Sequence, residues 1–211
     1  LLNQHKMNKD SIILDIGCGR GKILGNLSSI LKLKNKPIGL DIEDHKDKDK
    51  KINFKKIDGT SFLSKTKKSY DLILVKQTIH LLTKRQITNL LLMGKKKLNL
   101  NGKIIIFSLN PNQNELPTFQ LMKEKLKKSL KKDKKIFNYI LKSNPKTIIR
   151  KFIFKVKITK KKYIQMITKR YISTLLNFNK KQILNGVDEI NYKYNNIIKF
   201  NDKLICLIIK N

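Results

Sequence analysis

Three glycines spaced two residues apart are the feature of the sequence best suited to chemistry. Gly17, Gly19 and Gly21 follow a short apolar segment that contains one acid, Asp15, in the stretch ILDIGCGRGK at residues 13–22. Glycine adopts positive φ easily and has no side chain, so such a turn lets a ligand touch the backbone. A strand that ends in a glycine turn and leads into a helix is a frequent phosphate or nucleotide site.

Two common nucleotide motifs fit this spacing poorly. The dinucleotide fingerprint needs a glycine at its sixth position, which is Lys22 when the count starts from Gly17. A P-loop needs a glycine five residues before its Gly-Lys pair, and that position is Ile16. A cationic ligand without phosphate fits better, because Asp15 would repel pyrophosphate and attract an ammonium or sulfonium group.

The segment from Asp15 to Gly21 resembles the first motif of the class I S-adenosylmethionine-dependent methyltransferases, an acid-bearing strand followed by GxGxG. Later positions agree in order. Asp41 matches the acid that accepts hydrogen bonds from both ribose hydroxyls, and Asp58 matches the acid that pairs with the adenine amino group. YDLILV at 70–75 and LNGKIII at 100–106 resemble the family's fourth strand and the turn and strand that follow it.

The resemblance implies a methyltransferase with S-adenosylmethionine as its cofactor. The implied cofactor-binding residues are Asp15, Gly17, Cys18, Gly19, Gly21, Asp41, Ile42, Asp58, Gly59, Thr60, Lys76 and Gln77. Lys76 and Gln77 would contact the methionine part of the cofactor. The alternative for Lys76 is a stem on apolar surface with its ammonium in water. We expect no metal site, because two cysteines are too few for a four-cysteine zinc centre.

Methyl transfer from a sulfonium is an in-line displacement, so the protein mainly orients the reactants in a dry pocket. A hydroxyl or amine acceptor would benefit from a base, and His80, just past the fourth strand, is the catalytic candidate. Its alternative is a packed or surface histidine. Arg170 and Tyr171 are the substrate candidates that could clamp an anionic acceptor, since arginine binds carboxylates bidentately. Alternatively, Arg170 pairs with a solvent-facing acid.

Segments 75–82, 169–178 and 185–190 are similar to small-molecule methyltransferases of the trans-aconitate and ubiquinone/menaquinone-like type. This similarity implies a small-molecule acceptor, which could be a carboxylate, a hydroxyl or a quinone-like compound, and a helical lid at 161–192. The chain lacks the Asn/Asp-Pro-Pro-aromatic stretch of nucleic-acid amino methyltransferases after its fourth strand. It also lacks a cysteine placed for carbon-5 cytosine methylation.

The net charge of +33 favours a nucleic-acid partner at first sight. However, only four of the 48 basic residues are arginine and the chain has no alanine, a composition typical of A+T-rich coding. We therefore interpret the lysine runs at 46–56, 123–135 and 155–162 as solvated faces, with few aromatic residues among them for base stacking. Two alternatives stay open, an RNA methyltransferase with a functional basic surface and a non-catalytic binding protein of the same fold.

The elements that must position these residues alternate along the first half of the chain. Apolar segments at 11–16, 36–42, 52–58, 70–77 and 100–109 predict strands, the last entered by an Asn101-Gly102 turn, and 22–33 and 83–98 predict helices. This pattern predicts an α/β fold with a doubly wound, mostly parallel sheet, and the family resemblance implies seven strands with an antiparallel last strand and a helical lid.

The second half is less regular. We expect one or two helices at 116–143, a strand at 147–158 and helices at 161–192 with breaks near Asn177 and Asn185-Gly186. Two final strands, 197–200 and 203–210, would be joined by a tight turn at Asn201-Asp202.

A chain of 211 residues suits a single domain, 1–211, with a cofactor-binding half at 1–110 and a substrate half at 111–211. No segment has the pattern of a signal peptide or the length of a membrane span. With only two cysteines, a cytoplasmic location is expected. We also expect a monomer or homodimer. The chain starts without Met, and whether a further N-terminal segment precedes it stays open.

Overall fold

The computed structural model describes residues 7–210, and within them seven strands form one sheet. The strands are β1 Ile13–Ile16, β2 Ile38–Asp41, β3 Asn53–Lys56, β4 Tyr70–Lys76, β5 Leu98–Leu109, β6 Ile148–Thr159 and β7 Ile197–Lys210. Their order across the sheet is β3-β2-β1-β4-β5-β7-β6, and the first five strands pair in parallel. The predicted doubly wound sheet with an antiparallel last strand is confirmed.

Helices connect these strands. Over residues 7–210 the α-helices are α1 Lys22–Leu31, α2 Gly59–Lys65, α3 Lys84–Lys96, α4 Gln120–Ser143, α5 Lys160–Thr168 and α6 Lys180–Lys193. Short 3-10 helices occupy Ile79–Leu81 and Ser173–Leu175. None of the described helices is both long enough and apolar enough to cross a membrane.

The chain divides into two compact units. The first unit contains the residues up to Ser108, the segment Leu141–Arg150 and the chain from Cys206 onward. Its core is the central part of the parallel sheet, where Leu14, Ile73 and Ile104 are fully buried. Strands buried on both faces need nearly continuous apolar sequence, which explains why β1 and β4 consist mostly of apolar residues.

The second unit contains Leu109–Ile140 and Lys151–Ile205. Its own apolar cluster includes Phe119, Tyr163 and Ile190, and the Tyr163 hydroxyl donates a hydrogen bond to the Pro117 carbonyl oxygen. The segment predicted as a lid, 161–192, lies in this unit and consists of most of α5, the 3-10 helix at Ser173–Leu175 and most of α6.

Local sequence explains where the helices begin. The Thr83 hydroxyl accepts a hydrogen bond from the backbone N–H of Gln86, and the Gln86 side chain accepts one from Thr83 in return. Asn179 and Gln182 form the same reciprocal pair at the start of α6. Such capping boxes satisfy two backbone donors that a helix start leaves without partners.

Two predictions in the first half of the chain need correction. The sequence pattern predicts no helix between β3 and β4, yet α2 forms there because the Asp58 carboxylate accepts a hydrogen bond from Ser61 N–H and caps it. Asn101-Gly102 is not a turn before β5 but a bulge within it, opposite a register shift between Tyr70 and Leu72. A Cβ at Gly102 would lie 2.6 Å from the Tyr70 carbonyl oxygen, so glycine permits this close approach.

Two predictions in the second half are also wrong. Asn185-Gly186 does not break a helix but lies inside α6, where glycine makes room for the Phe119 ring, since a Cβ at Gly186 would lie 2.6 Å from a ring carbon. The two final strands are one continuous strand, β7. Asn201 does not turn the chain, because its backbone and side-chain amides both donate to the Glu115 carboxylate, at 3.2 and 2.8 Å.

Candidate functional site

The glycine turn lies in the first unit, directly after β1. Gly17, Gly19 and Gly21 all have positive φ, at 74°, 55° and 70°, so each adopts the left-handed conformation that glycine favours. The N–H groups of Gly17 and Cys18 both donate to the Leu40 carbonyl oxygen, at 2.8 and 2.9 Å. The turn is therefore fixed to the end of β2 by backbone hydrogen bonds.

Space around the three glycines differs. A Cβ at Gly17 would overlap the Thr78 side chain, and a Cβ at Gly21 would overlap the Ile52 side chain. A Cβ at Gly19 would meet no atom within 4 Å. The packing of the turn thus requires glycine at Gly17, whereas a Cβ at Gly21 would displace the end of the Ile52 side chain. Gly19 presents its backbone to open space that a ligand can approach.

Asp15 is a carboxylic acid buried in the sheet, with 3% of its surface exposed. Its Oδ1 atom has no hydrogen-bond partner among the described residues. Burial, with a smaller contribution from Asp41, raises its pKa to about 7 against the opposing charge of Lys76. Asp15 pairs with Leu74 on β4, and Lys76 lies two residues later on the same face. A buried carboxyl group with an unused oxygen is suited to receive a cationic group.

Asp41 ends β2 beside the glycine turn. Its Oδ2 accepts a hydrogen bond from Gly19 N–H at 2.7 Å, and its Oδ1 accepts one from Glu43 N–H at 3.0 Å. A carboxylate offers about four lone-pair positions, so both oxygens keep capacity for a further donor. The next residue, Ile42, has 65% of its side chain exposed and can cover a ligand held there.

Asp58 follows β3, the strand next to β2, and its carboxylate caps α2. Because β2 and β3 are parallel, with Asp41 opposite Lys56, the acids near their ends lie at the same edge of the sheet as Asp15. Gly59 has a packing role, since a Cβ there would lie 2.5 Å from Ile16 Cγ2. Thr60 is partly exposed in the first turn of α2.

Lys76 ends β4, and Gln77 after it has a φ of 56°, a conformation uncommon for a residue with a side chain. The Gln77 N–H donates to the Phe107 carbonyl oxygen at 2.8 Å, which holds this turn against β5. His80 lies in the 3-10 helix that follows and is partly exposed. All three predicted residues therefore belong to the same edge of the sheet as the glycine turn.

Cys18 lies between two of the glycines but is not poised as a nucleophile. Burial, together with the neighbouring carboxylates of Asp15 and Asp41, raises the pKa of its thiol to about 12. A thiol with so high a pKa stays protonated at neutral pH and reacts slowly. Cys18 contributes packing instead, because its Sγ lies against Gly39 of β2.

Arg170 and Tyr171 lie in the second unit, after α5. Arg170 has a φ of 52° and one of its terminal N–H groups donates to the Phe178 carbonyl oxygen at 3.0 Å. Its Nε is buried without a hydrogen-bond partner among residues 7–210. Half of the Tyr171 side chain is exposed, at 51%. One part of the guanidinium thus stabilises a turn of the second unit itself.

Sequence reasoning missed Thr78 as a residue that shapes the site. Its hydroxyl is 3.3 Å from the Gly17 carbonyl oxygen and 3.1 Å from that of Lys76, so it links two loops 61 residues apart. No local pattern marks such a threonine, because its role depends on the pairing of β1 with β4.

In the described part of the chain no group of three or more His, Cys, Asp or Glu side chains could hold a metal ion.

Comparison with known proteins adds information on the fold. Neither a protein-family model nor a curated protein sequence matches the chain. Among solved structures, a putative methyltransferase of an antibiotic biosynthesis pathway from Anabaena variabilis is similar at a TM-score of 0.68 and 12% identity, over 97% of this chain and 93% of that one.

A SAM-dependent methyltransferase from Archaeoglobus fulgidus is similar at a TM-score of 0.58 and 20% identity, over 100% of this chain and 91% of that one. The plantazolicin methyltransferase BpumL, in complex with SAH and a pentazolic desmethylPZN analog, is similar at a TM-score of 0.51 and 20% identity, over 95% of this chain and 77% of that one. At these identities the similarities show the fold alone. The chain has the class I methyltransferase fold.

Proposed function

We propose that the first unit binds S-adenosylmethionine and that the protein transfers its methyl group to a small-molecule acceptor. One observation carries most of the proposal. An almost fully buried carboxyl, Asp15, and a second acid, Asp41, flank a turn in which Gly19 faces open space. The fold of the solved methyltransferases supports the same cofactor.

The residues present fit this cofactor. The unused Oδ1 of Asp15 suits the cationic methionine end, and the remaining lone pairs of Asp41 suit the ribose hydroxyls. Asp58, Gly59, Thr60 and Ile42 would surround the adenine, and Lys76 and Gln77 would contact the methionine carboxylate. When bound, the cofactor supplies an electrophilic methyl group on a sulfonium, and the protein holds and orients it.

The acceptor is proposed to be a carboxylate, a hydroxyl or a quinone-like compound. One structural neighbour is a putative methyltransferase of an antibiotic biosynthesis pathway, and another is named a plantazolicin methyltransferase. Both names indicate that the fold acts on small-molecule acceptors in those proteins. We assign His80 the role of a base for a hydroxyl acceptor, and Arg170 and Tyr171 that of a clamp for an anionic one. A carboxylate acceptor needs no base, because it carries no proton to remove.

Calorimetry with Asp41→Asn tests the cofactor assignment. We expect the affinity for S-adenosylmethionine to fall by about 1 to 3 kcal/mol, since one good acceptor of ribose hydroxyls is lost. Asp44→Asn is the matched control, because this exposed acid, three residues away, pairs with Lys48 outside the turn. Equal affinity for the two variants would contradict the assignment, and absence of binding to the unaltered protein would reject it.

A second experiment identifies the acceptor. The protein is incubated with S-adenosylmethionine and a metabolite extract, and mass spectrometry detects compounds that gain one methyl group. A product that fails to form with Arg170→Gln, while cofactor binding is unchanged, supports the clamp. Cofactor binding without turnover on any acceptor would favour the non-catalytic alternative instead.

A further inference from the structure

Strand β6 is the outer edge of the sheet, with β7 as its neighbour. The part from Lys151 to Thr159 belongs to the second unit, and none of its residues is fully buried. Ile153 and Phe154 have 62% and 52% of their side chains exposed, on opposite faces of the strand. A long edge strand with apolar side chains exposed on both faces is a surface on which another chain or ligand can bind.

Two stacked aromatic rings lie on one face of this strand. Phe152 and Phe154 are two residues apart and therefore project to the same face. Their ring centroids are 6.5 Å apart and the ring planes differ by 17°. Two nearly parallel, partly exposed rings offer an aromatic surface, and nucleobases stack on aromatic side chains irrespective of the identity of the base.

Positive charge accompanies the two rings. Lys151, Lys155 and Lys157 alternate with them along the strand and are exposed. Their side chains project from the face of the strand opposite to the two rings. However, the long, flexible lysine side chain can bring its ammonium group round the free edge of the strand. The sequence contains no Asp or Glu from residue 134 to residue 187, although the neighbouring strand β7 carries Asp202. Exposed lysines along the same strand as aromatic rings complement a polyanion that also carries flat rings.

The same charge argues against a second copy of the chain as the occupant. Antiparallel self-pairing centred on residue 153 or 154 would place Lys151 opposite Lys155 or Lys157, and like charges directly opposite each other are destabilising. Lysines on an edge strand are a common protection against such pairing.

We propose that residues 151–157 of β6 bind single-stranded nucleic acid, with bases stacked on Phe152 and Phe154 and phosphates paired with Lys151, Lys155 and Lys157. The aromatic pair beside the lysine run 155–162 revises the interpretation of the start of that run as a solvated face alone. A duplex is not the expected ligand, because its bases are already stacked on one another and unavailable to the rings. This surface contains none of the residues proposed to bind the cofactor. The proposal therefore goes beyond methyl transfer and can be tested independently of it.

A tryptophan reporter tests the stacking directly. The chain has no tryptophan, so Phe154→Trp introduces a single fluorophore that retains an aromatic surface. Addition of an oligouridine of about 12 nucleotides, within the usual site size, should quench it. Tyr192→Trp on α6 is the control, because Tyr192 is the more exposed residue, at 97%, and lies outside the strand; its fluorescence should not change.

Affinity measured by anisotropy gives the second arm. Phe152→Ala with Phe154→Ala should weaken binding of labelled oligouridine at least tenfold, while Tyr192→Ala should change it less than twofold. Circular dichroism and thermal melting show that each variant folds. Unchanged affinity of the folded double variant would overturn the proposal.

The lysines are tested by salt dependence. In Lys155→Gln with Lys157→Gln, the slope of log affinity against log salt should fall by about 1.4, because each single-strand phosphate contact contributes about 0.7. Lys180→Gln with Lys181→Gln, two exposed lysines of α6, should leave the slope unchanged. If both pairs of substitutions reduce the salt slope equally, the lysines of β6 contribute only general positive charge, and the proposed binding site is rejected.

Two competing ligands are outcomes of the same assay. A duplex of equal length that binds as tightly as the single strand would reject stacking. Anionic phosphatidylserine vesicles that shift the Phe154→Trp emission to shorter wavelength, when oligouridine causes no quenching, would identify a membrane surface instead. All measurements omit S-adenosylmethionine, so failure here leaves the proposed function untouched, and failure of cofactor binding leaves this proposal untouched.

Discussion

The glycine turn of the first unit and strand β6 differ in what surrounds them. Around the turn, Thr78 and Ile52 occupy the space beside Gly17 and Gly21, and the neighbouring Asp15 is almost fully buried. Along β6, Ile153 and Phe154 are largely exposed. The turn obtains its shape from packing, whereas β6 has several side chains that are largely exposed.

This difference has a measurable consequence. Where packing sets the backbone, a change of one carbon should destabilise the protein, since close-packed interiors accommodate extra atoms poorly. Where side chains are exposed, substitutions should alter binding and leave stability nearly constant.

The largest effect is expected at Gly17. Alanine there combines the cost of a positive φ with overlap of the Thr78 side chain, so the free energy of unfolding should fall by about 4 kcal/mol. Gly19→Ala is the matched control, with a positive φ and open space, and should lose only about 1 to 2 kcal/mol. Denaturant unfolding measures both.

The same pair separates stability from binding. The methyl group of Gly19→Ala would enter the open space of the site, so this variant should lose cofactor affinity although it folds. If Gly19→Ala binds normally, the cofactor does not approach the turn at this glycine.

A smaller effect is expected from the buried Asp15. Its pKa is raised from 3.8 to about 7, so the native protein keeps a proton that the unfolded chain has released between these pH values. The free energy of unfolding should therefore decrease by a few kcal/mol relative to Asp15→Asn as pH rises from about 4 to 7. Above pH 7 the difference should be constant.

Asp44→Asn is the control for this pH profile. The pKa of Asp44 is lowered by its hydrogen bond with Lys48, so its contribution has the opposite sign and is lost as pH falls. A wild-type curve parallel to that of Asp15→Asn from pH 4 to 7 would show that Asp15 ionises normally.

Cys18 should show a still smaller effect on stability. Cys18→Ser should change the free energy of unfolding by less than about 1 kcal/mol, because a thiol and a hydroxyl differ little in size. In the native protein, whose Cys18 pKa is raised to about 12, alkylation by iodoacetamide at pH 8 should be far slower than after unfolding. Rapid native alkylation of Cys18 would contradict the burial described for the turn.

The smallest effect is expected on β6. Ile153→Lys places a charge on a side chain that is 62% exposed, so the free energy of unfolding should change by less than about 0.5 kcal/mol. A loss above about 1 kcal/mol in thermal or denaturant melts would show that this face is covered, and the contrast with the turn would disappear.

The sheet could be predicted largely from sequence because its signal is local. Continuous apolar segments such as Ile13–Ile16 and Tyr70–Lys76 indicate strands buried on both faces. Boundaries and exceptions needed tertiary contacts. β7 passes through Asn201-Asp202 as one strand because Glu115, distant in sequence, accepts two hydrogen bonds from Asn201.

The candidate site divides in the same way. Gly17, Asp15 and Asp41 are visible in the sequence, since residue type and spacing at strand ends identify them. Thr78 could not be identified, because its hydrogen bonds join loops that only the sheet brings together. The roles of His80, Arg170 and Tyr171 remain predictions, since residue type alone suits several environments.

By itself, the sequence determined the alternation of strands and helices and the acids and glycines at the strand ends. These properties follow from hydrophobic periodicity and from the conformational freedom of glycine, and both act within a few residues. Tertiary structure alone decided which glycine faces open space, how deeply Asp15 is buried and which aromatic rings of β6 stay exposed. Such properties depend on atoms far apart in the chain, so packing had to set them.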